Sequence, residues 1–409
     1  MGLWLRLKRS AEESRSWPGR ARQPRVARTL KGRIMASLKY RLGLLRGLLS
    51  SEKAYAGPFY IHVDVTHRCN LKCLCCRWHS PLITSLRDKT ISQDISVETL
   101  RELLEDLAEM GTEEIYFVGT GEPFLHPQLF ELIGAVKEKG FKLTLYTNGL
   151  TLDEATIRKL IELRLDVLRV SLWASSAEKF VEQVNQMTPD RFDGIINGMA
   201  RVSELKKETG SSLPFLELCQ TITRQNLEDL DETVALAVKT RCEKMCFSPI
   251  VDFQADELTQ FVPEPPDTTK VCEALRKIQK QLDDLSIINN IDIMLLHYSW
   301  DGRIQYNIPC YPAWYFTYVR TDGKIFACQR NTLETPALGD LRTSRFKEIW
   351  NNQAYRRFRR QVSTCQGLVE QDDYYCTYCS HSLNTERVHN RFKYFTPLKW
   401  LIARTKGRE

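Results

Sequence analysis

The chain has 409 residues, 43% of them hydrophobic, and a formal net charge of +7. It is too long for one ordinary domain, rich enough in apolar residues for a large core, and without any apolar stretch near the ~20 residues that span a bilayer. No secretory signal opens it, because Met1 to Arg9 runs into charged, Pro-containing sequence, so a cytoplasmic setting with reduced thiols is expected. The charge is uneven. Residues 1–50 hold thirteen Lys/Arg and two Glu, or +11, which leaves the remaining 359 residues at −4. This basic leader, residues 1–55, contains an amphipathic stretch over Leu30–Leu49. It reads either as an interfacial helix that gives peripheral contact with an anionic membrane, or as a helix packed on the body with a solvated basic face. Nucleic acid is not expected as a partner.

From residue 60 the chain alternates β-rich runs with helical patterns. Strands are expected at 60–66, 114–120, 142–148, 167–173, 215–223 and 244–250. Helices are expected at 96–110, 128–139, 153–164, 189–208 and 226–239, from apolar residues at i, i+3 and i+4. Thr188-Pro189 is a helix-start signal. Six βα repeats imply right-handed crossovers and a parallel sheet. Because the chemical motifs follow strand C-termini, the expected fold is α/β, a curved partial (βα)6 TIM-type barrel over residues 56–265. Residues 251–268 read as a linker, followed by a polar helix at 269–284 and a strand at 291–297. A connecting segment thus occupies 266–300. A small C-terminal α+β unit follows at 301–385, and a basic tail at 386–409.

Thirteen cysteines in a reducing setting point to metal ligands rather than disulfides. Nine fall in two groups, at 69–76 and 310–379. Cys219, Cys242, Cys246 and Cys272 are scattered and read as buried free thiols. After the first strand, Cys69, Cys73 and Cys76 have the spacing C-x3-C-x2-C. Three thiolates on one loop can hold three irons of a 4Fe-4S cluster and leave the fourth open for reaction. A zinc loop is the structural alternative, although zinc sites usually show paired C-x2-C halves.

Further motifs follow in order. Gly119-Thr120-Gly121-Glu122-Pro123 closes the second strand, Tyr146-Thr147-Asn148-Gly149 the third, and Ser171 lies near the end of the fourth. Together with the cysteine triad this resembles the radical S-adenosylmethionine (radical SAM) enzymes, with Thr120 standing where their GGEP motif has a glycine. The resemblance implies that the cluster binds SAM. It also implies that the Gly119–Pro123 turn holds the methionyl amino group, and that Asn148 and Ser171 are cofactor contacts. Cys75 departs from the family, which usually has an aromatic there against the adenine; Trp78 is a substitute.

The second cysteine group has Cys310, twelve residues, Gly323, four residues and Cys328, then Leu338-Gly339-Asp340-Leu341, Phe346–Trp350 and Cys376-Thr377-Tyr378-Cys379. This is similar to the SPASM and twitch auxiliary-cluster domains. The resemblance implies a second 4Fe-4S cluster held by Cys310, Cys328, Cys376 and Cys379; a four-thiolate zinc site has the same spacing. Cys365 has no assigned role. Asp252, His297 and Tyr298 are the candidate proton acceptors by position, whereas His62 and His126 read as packing residues.

The implied activity is reductive cleavage of SAM to a 5′-deoxyadenosyl radical, hydrogen abstraction, and a two-electron oxidation assisted by the auxiliary cluster. The electron donor would be of flavodoxin or ferredoxin type. The substrate would be a small biosynthetic molecule, favoured by the strand-poor leader, or a peptide as in the maturases. A non-enzymatic metal-binding protein is the remaining alternative.

Overall fold

A computed structural model of the chain describes residues 30–83, 94–250, 256–299, 309–329 and 336–363. Seven strands run parallel in chain order: β1 Tyr60–Asp64, β2 Glu114–Val118, β3 Lys142–Thr147, β4 Val167–Leu172, β5 Phe215–Ile222, β6 Lys244–Pro249 and the short β7 Ile288–Asn289. All six expected strands are present, each ending one or two residues early, and the sheet is the parallel wall of a partial barrel. The helices between them form where the apolar spacing predicts, except that the one expected from 226 starts at Glu232, after a 3-10 turn over Arg224–Asn226. In Val97–Met110, for example, Leu100, Leu103, Leu104 and Leu107 are buried, Ser96 Oγ caps Thr99 N–H at 3.0 Å, and Gly111 closes the helix in the left-handed region. One helix, Ala177–Gln183 after β4, was not expected.

Two sequence expectations are corrected. The linker over 251–268 is partly helical, since a 3-10 turn covers Asp256–Phe261 and the following helix starts at Pro265 and runs to Asp284. The strand expected at 291–297 is a helix, Ile291–Ser299. A short apolar run does not by itself distinguish strand from buried helix. Here Asn290 decides, because its side chain accepts from Phe247 N–H at 2.7 Å and donates to Phe247 C=O at 2.8 Å. That side chain takes the place of the next strand residue, ending pairing with β6 and releasing the chain into a helix.

The C-terminal unit joins the same sheet. β8 Phe316–Val319 pairs parallel with β1, and β9 Lys324–Phe326 and β10 Gly339–Asp340 follow antiparallel, giving the order β10-β9-β8-β1-β2-β3-β4-β5-β6-β7. Further ties fix it. Arg345 holds the buried Asp106 of Val97–Met110 through Nη2 at 2.9 Å and Nε at 3.1 Å, a two-pronged ion pair. Trp350 Nε1 donates to Ala56 C=O at 2.8 Å.

The leader contains a helix over Leu30–Ser50. Its last turns lie on the body, with Leu48 buried and Gly47 against the Trp314 indole, while Leu38 and Leu42 are exposed. No helix among the described residues is long and apolar enough to cross a membrane.

Candidate functional site

The loop after β1 carries the cysteine triad and is braced from three sides. Cys76 N–H donates to Cys73 C=O at 3.1 Å, and Ser80 N–H to Cys76 C=O at 3.0 Å. The segment after Ala177–Gln183 pairs with the loop, Leu74 N–H to Gln183 C=O at 2.9 Å and Asn185 N–H to Lys72 C=O at 3.1 Å. His79 Nε2 lies 2.7 Å from Thr120 C=O. That side chain, which the motifs did not single out, ties the loop to the Gly119–Pro123 turn.

Cys69, Cys73 and Cys76 share one electrostatic environment. Burial pushes the Cys69 thiol up to about 12, with Cys76 adding repulsion, and burial with its three cysteine neighbours pushes Cys73 well up. Crowded thiols that resist ionisation alone are those a cationic metal centre deprotonates. Among the described residues no three His, Cys, Asp or Glu groups close around a point as about a single ion. Three thiols carried on one braced loop are the donor set that a 4Fe-4S cluster with one open iron takes. Cys75 packs elsewhere, in a small apolar group of Leu74, Ile83, Trp173, Ile250, Leu258 and Phe261 at the ends of β4 and β6.

The Gly119–Pro123 turn lies directly on this loop. A Cβ on Gly121 would stand 2.6 Å from Thr66 C=O and would overlap Arg68 C=O, to which Glu122 N–H donates at 2.8 Å. Glu122 is buried, and its carboxylate is fully engaged. Oε1 accepts from Thr147 Oγ1 at 2.8 Å and Phe124 N–H at 3.2 Å, and Oε2 from Asn148 N–H at 2.7 Å. Burial raises its pKa to about 7 against these three donors. Asn148 Nδ2 in turn donates to Asn70 Oδ1 at 2.7 Å, inside the cysteine loop. Pro123 is buried and opens a 3-10 turn, and Ser171 is half-buried on the sheet face turned away from the helices. Gly119, Thr120, Gly121, Glu122, Pro123 and Asn148 are therefore brought together with Cys69–Cys76, and Ser171 stands farther along the sheet.

Beneath them is Asp64, which the sequence reading passed over. Its side chain is inaccessible, accepting from Thr120 N–H at 3.1 Å and from the Tyr318 hydroxyl of β8. Burial raises its pKa to about 7 from the usual 3.8, against the pull of Tyr318, Thr120 and Arg320. A carboxyl raised on folding contributes stability that is complete below pH 4 and lost as pH rises through about 7. Asp64→Asn keeps the shape and removes the titration. The stability of wild type relative to this variant should fall by a few kcal/mol between pH 4 and 7, as read from urea midpoints. Parallel profiles would refute the assignment.

His297 and Tyr298 stand side by side on the helix Ile291–Ser299, rings 4.9 Å apart and nearly perpendicular, not at a strand end. Burial lowers the His297 pKa to about 4, so it stays neutral in the folded chain at neutral pH. The unfolded chain takes up its proton near 6.5, so stability is lost as pH falls from there toward 4. In His297→Gln that loss should shrink by about 1–3 kcal/mol, measured by thermal melts at pH 7 and pH 4.5; an unchanged difference would count against it. Cys310 and Cys328 are half-buried at either side of the β8–β9 hairpin. Asp252, Cys365, Cys376 and Cys379 lie outside the described residues.

The family follows from comparison with known proteins. The model of the radical SAM superfamily matches residues 63–237, and that of an iron-sulfur cluster-binding domain, SPASM, matches 310–381. The chain is a radical SAM enzyme with a SPASM domain. The cofactors that go with these domains are a 4Fe-4S cluster, SAM and an auxiliary iron-sulfur cluster. A Pyrococcus furiosus protein described as a tungsten-containing aldehyde ferredoxin oxidoreductase cofactor-modifying protein is 22% identical, over 73% of this chain and 83% of its own. The PqqA peptide cyclase of Xanthomonas axonopodis pv. citri is 24% identical, over 77% of this chain and 81% of its own. The solved structure of anSMEcpe with bound AdoMet superposes with a TM-score of 0.58 at 18% identity, covering 85% of this chain and 96% of that one. It therefore shares the fold.

Proposed function

We propose that this enzyme abstracts hydrogen from a substrate held inside the partial barrel, and that the outcome is a two-electron oxidation. Bound at these sites, the clusters and SAM supply reductive cleavage to a 5′-deoxyadenosyl radical. Cys69, Cys73 and Cys76 would hold the first cluster, leaving one iron for SAM. The single observation that carries this reading is the docking of the Gly119–Pro123 turn on the cysteine loop, through Glu122 N–H to Arg68 C=O and Asn148 to Asn70.

The geometry refines the role of Glu122. With three donors on its carboxylate it acts first as a clamp between the ends of β2 and β3, presenting the turn's backbone carbonyls toward the methionyl amine. Ser171 would contact the ribose or the carboxylate. Trp173, backed by the buried Cys75, gives the ends of β4 and β6 an apolar surface suited to adenine, a task the sequence assigns to Trp78. Cys310, Cys328, Cys376 and Cys379 would hold the auxiliary cluster.

Oxidation is the favoured outcome because β8 pairs directly with β1. The β8–β9 hairpin between Cys310 and Cys328 is thus built onto the strand that precedes the cysteine loop, with both cysteines at the opposite end of that strand, so an auxiliary cluster there would take the substrate's electron through the barrel's own sheet. A small molecule remains the leading substrate. A peptide is the second reading, favoured by relatives whose names specify peptides, such as the PqqA peptide cyclase.

Anaerobic reconstitution tests the proposal. About eight irons per chain and 5′-deoxyadenosine formation with dithionite and SAM are expected. Zinc in both sites with no SAM cleavage would sink it.

A further inference from the structure

The inner face of the sheet has two unlike walls. On β8, β1 and β2 it is aromatic: Tyr60, His62, Tyr116 and Phe316 pack with ring centroids 4.9–5.5 Å apart where they pair as Tyr60–Phe316, His62–Phe316, His62–Tyr116 and Tyr60–Tyr116. On β3 to β6 it is charged. Tyr146, Arg169, Glu217 and Lys244 are direct partners across four adjacent strands and form one row. Ser171, Cys219 and Cys246 form the next row toward the strand ends, and Thr221 and Ser248 the row after that. The ionic row therefore lies beneath the strand ends that carry the proposed cofactor contacts.

Its hydrogen bonds are not balanced. Glu217 is consumed: Oε2 accepts from Arg169 Nε at 2.6 Å and is ion-paired with Nη2 at 2.5 Å, and Oε1 accepts from Lys244 Nζ at 3.2 Å. The Cys246 thiol adds a further contact to Oε2 at 3.6 Å. Arg169 also donates to the Tyr146 hydroxyl, which leaves that phenol's own proton to give. Of five Arg169 N–H groups three are used, and Lys244 directs one of its three to Glu217 and one to the Cys246 sulfur, which leaves one. The row thus offers donors and almost no acceptors. Its charge is two cations against one anion, and Arg169 and Lys244 keep 17% and 23% of their side chains accessible while Glu217 keeps 5%. Buried ion pairs are poor stabilisers, often replaceable by apolar packing without loss, so folding alone does not call for this row.

We propose that Arg169, Lys244 and Tyr146 form a subsite for a carboxylate of the substrate, oriented by Glu217, so that the molecule attacked by the radical is an organic acid. This rests on the radical reading above and names its substrate class. Two sources share that chemistry, a free small carboxylic acid and a carboxylate on a peptide.

The reconstituted full-length enzyme distinguishes them. With SAM and dithionite it is given perdeuterated glutarate in one arm and a peptide with one perdeuterated glutamate in the other. The matching glutaramide and glutamine peptide serve as controls. When a bound molecule is attacked, its C–D bond breaks and a C–D bond forms at the 5′ carbon of 5′-deoxyadenosine. In these surrogate substrates the carbon radical left behind is quenched by an electron from dithionite and a proton from water, a side path that takes the place of the proposed oxidation.

At least tenfold more deuterium in 5′-deoxyadenosine from an acid than from its amide is expected, and the arm that shows it names the source. The deuterated fraction should fall about tenfold in Lys244→Met and return in Lys244→Arg. Equal transfer from acid and amide, or none from any of the four while 5′-deoxyadenosine still forms, would overturn the subsite. No 5′-deoxyadenosine at all would instead overturn the radical reading beneath it. Because the acid–amide comparison needs no variant, it decides even if Lys244→Met does not fold.

Discussion

Replacing Cys69, Cys73 and Cys76 together by alanine is expected to halve the iron taken up on reconstitution, from about eight to about four atoms per chain, and to abolish SAM cleavage. The auxiliary cysteines remain in this variant, so the surviving iron reports their cluster alone. Cys75 does not rescue the first site. It is buried in the separate apolar group with Trp173, Ile250 and Phe261 and is held there by packing, whereas Cys69, Cys73 and Cys76 border the main core. Cys75→Ala by itself should therefore keep the full iron count. Iron and sulfide analysis with a dithionite-driven cleavage assay reads both variants. Eight irons in the triple variant would show that the first cluster is held elsewhere.

Gly121→Ala should lower SAM cleavage about a hundredfold or more, because a misplacement near 1 Å can cost that much. The added methyl would meet Thr66 C=O, His67 carbonyl carbon and Arg68 C=O. All three are backbone atoms, which cannot swing aside as the tip of a side chain can. The turn must lift off the loop, and the Glu122 N–H to Arg68 C=O bond that joins them is broken or stretched. Overpacking of this kind costs about 1–3 kcal/mol of stability, too little to unfold most chains, so the loss should appear in cleavage rate per iron. Activity within about threefold of wild type would show that the turn need not touch the loop.

The site was legible where chemistry depends on residue type and spacing along one segment. Cys69, Cys73 and Cys76 fall within one short loop, and Gly119–Pro123 is a turn whose tight backbone needs glycine. Residues whose role depends on what another strand places opposite them were not legible. Asp64 reads as an ordinary strand residue until Tyr318, more than 250 residues later, arrives beside it. His79 gains its role only because Thr120 C=O lies over it. Cys219 and Cys246 are free thiols as their scattered positions imply, but only the strand register shows that they stand side by side on the inner face. The alternation Leu168, Arg169, Val170, Ser171, Leu172 did carry a faint signal, since polar residues every second position in an otherwise buried strand mark an inner wall.

The sequence by itself therefore determined the order of strands and helices, the cysteine groups and the turn motif, because those rest on local periodicity and on covalent spacing. Tertiary structure decided three things. It placed the C-terminal hairpin within the barrel's own sheet, since only pairing with β1 satisfies the backbone of β8 on that side. It turned residues 291–297 from strand to helix, since Asn290 occupies the next pairing position on β6. And it assembled the row Tyr146, Arg169, Glu217 and Lys244, whose register no single segment contains.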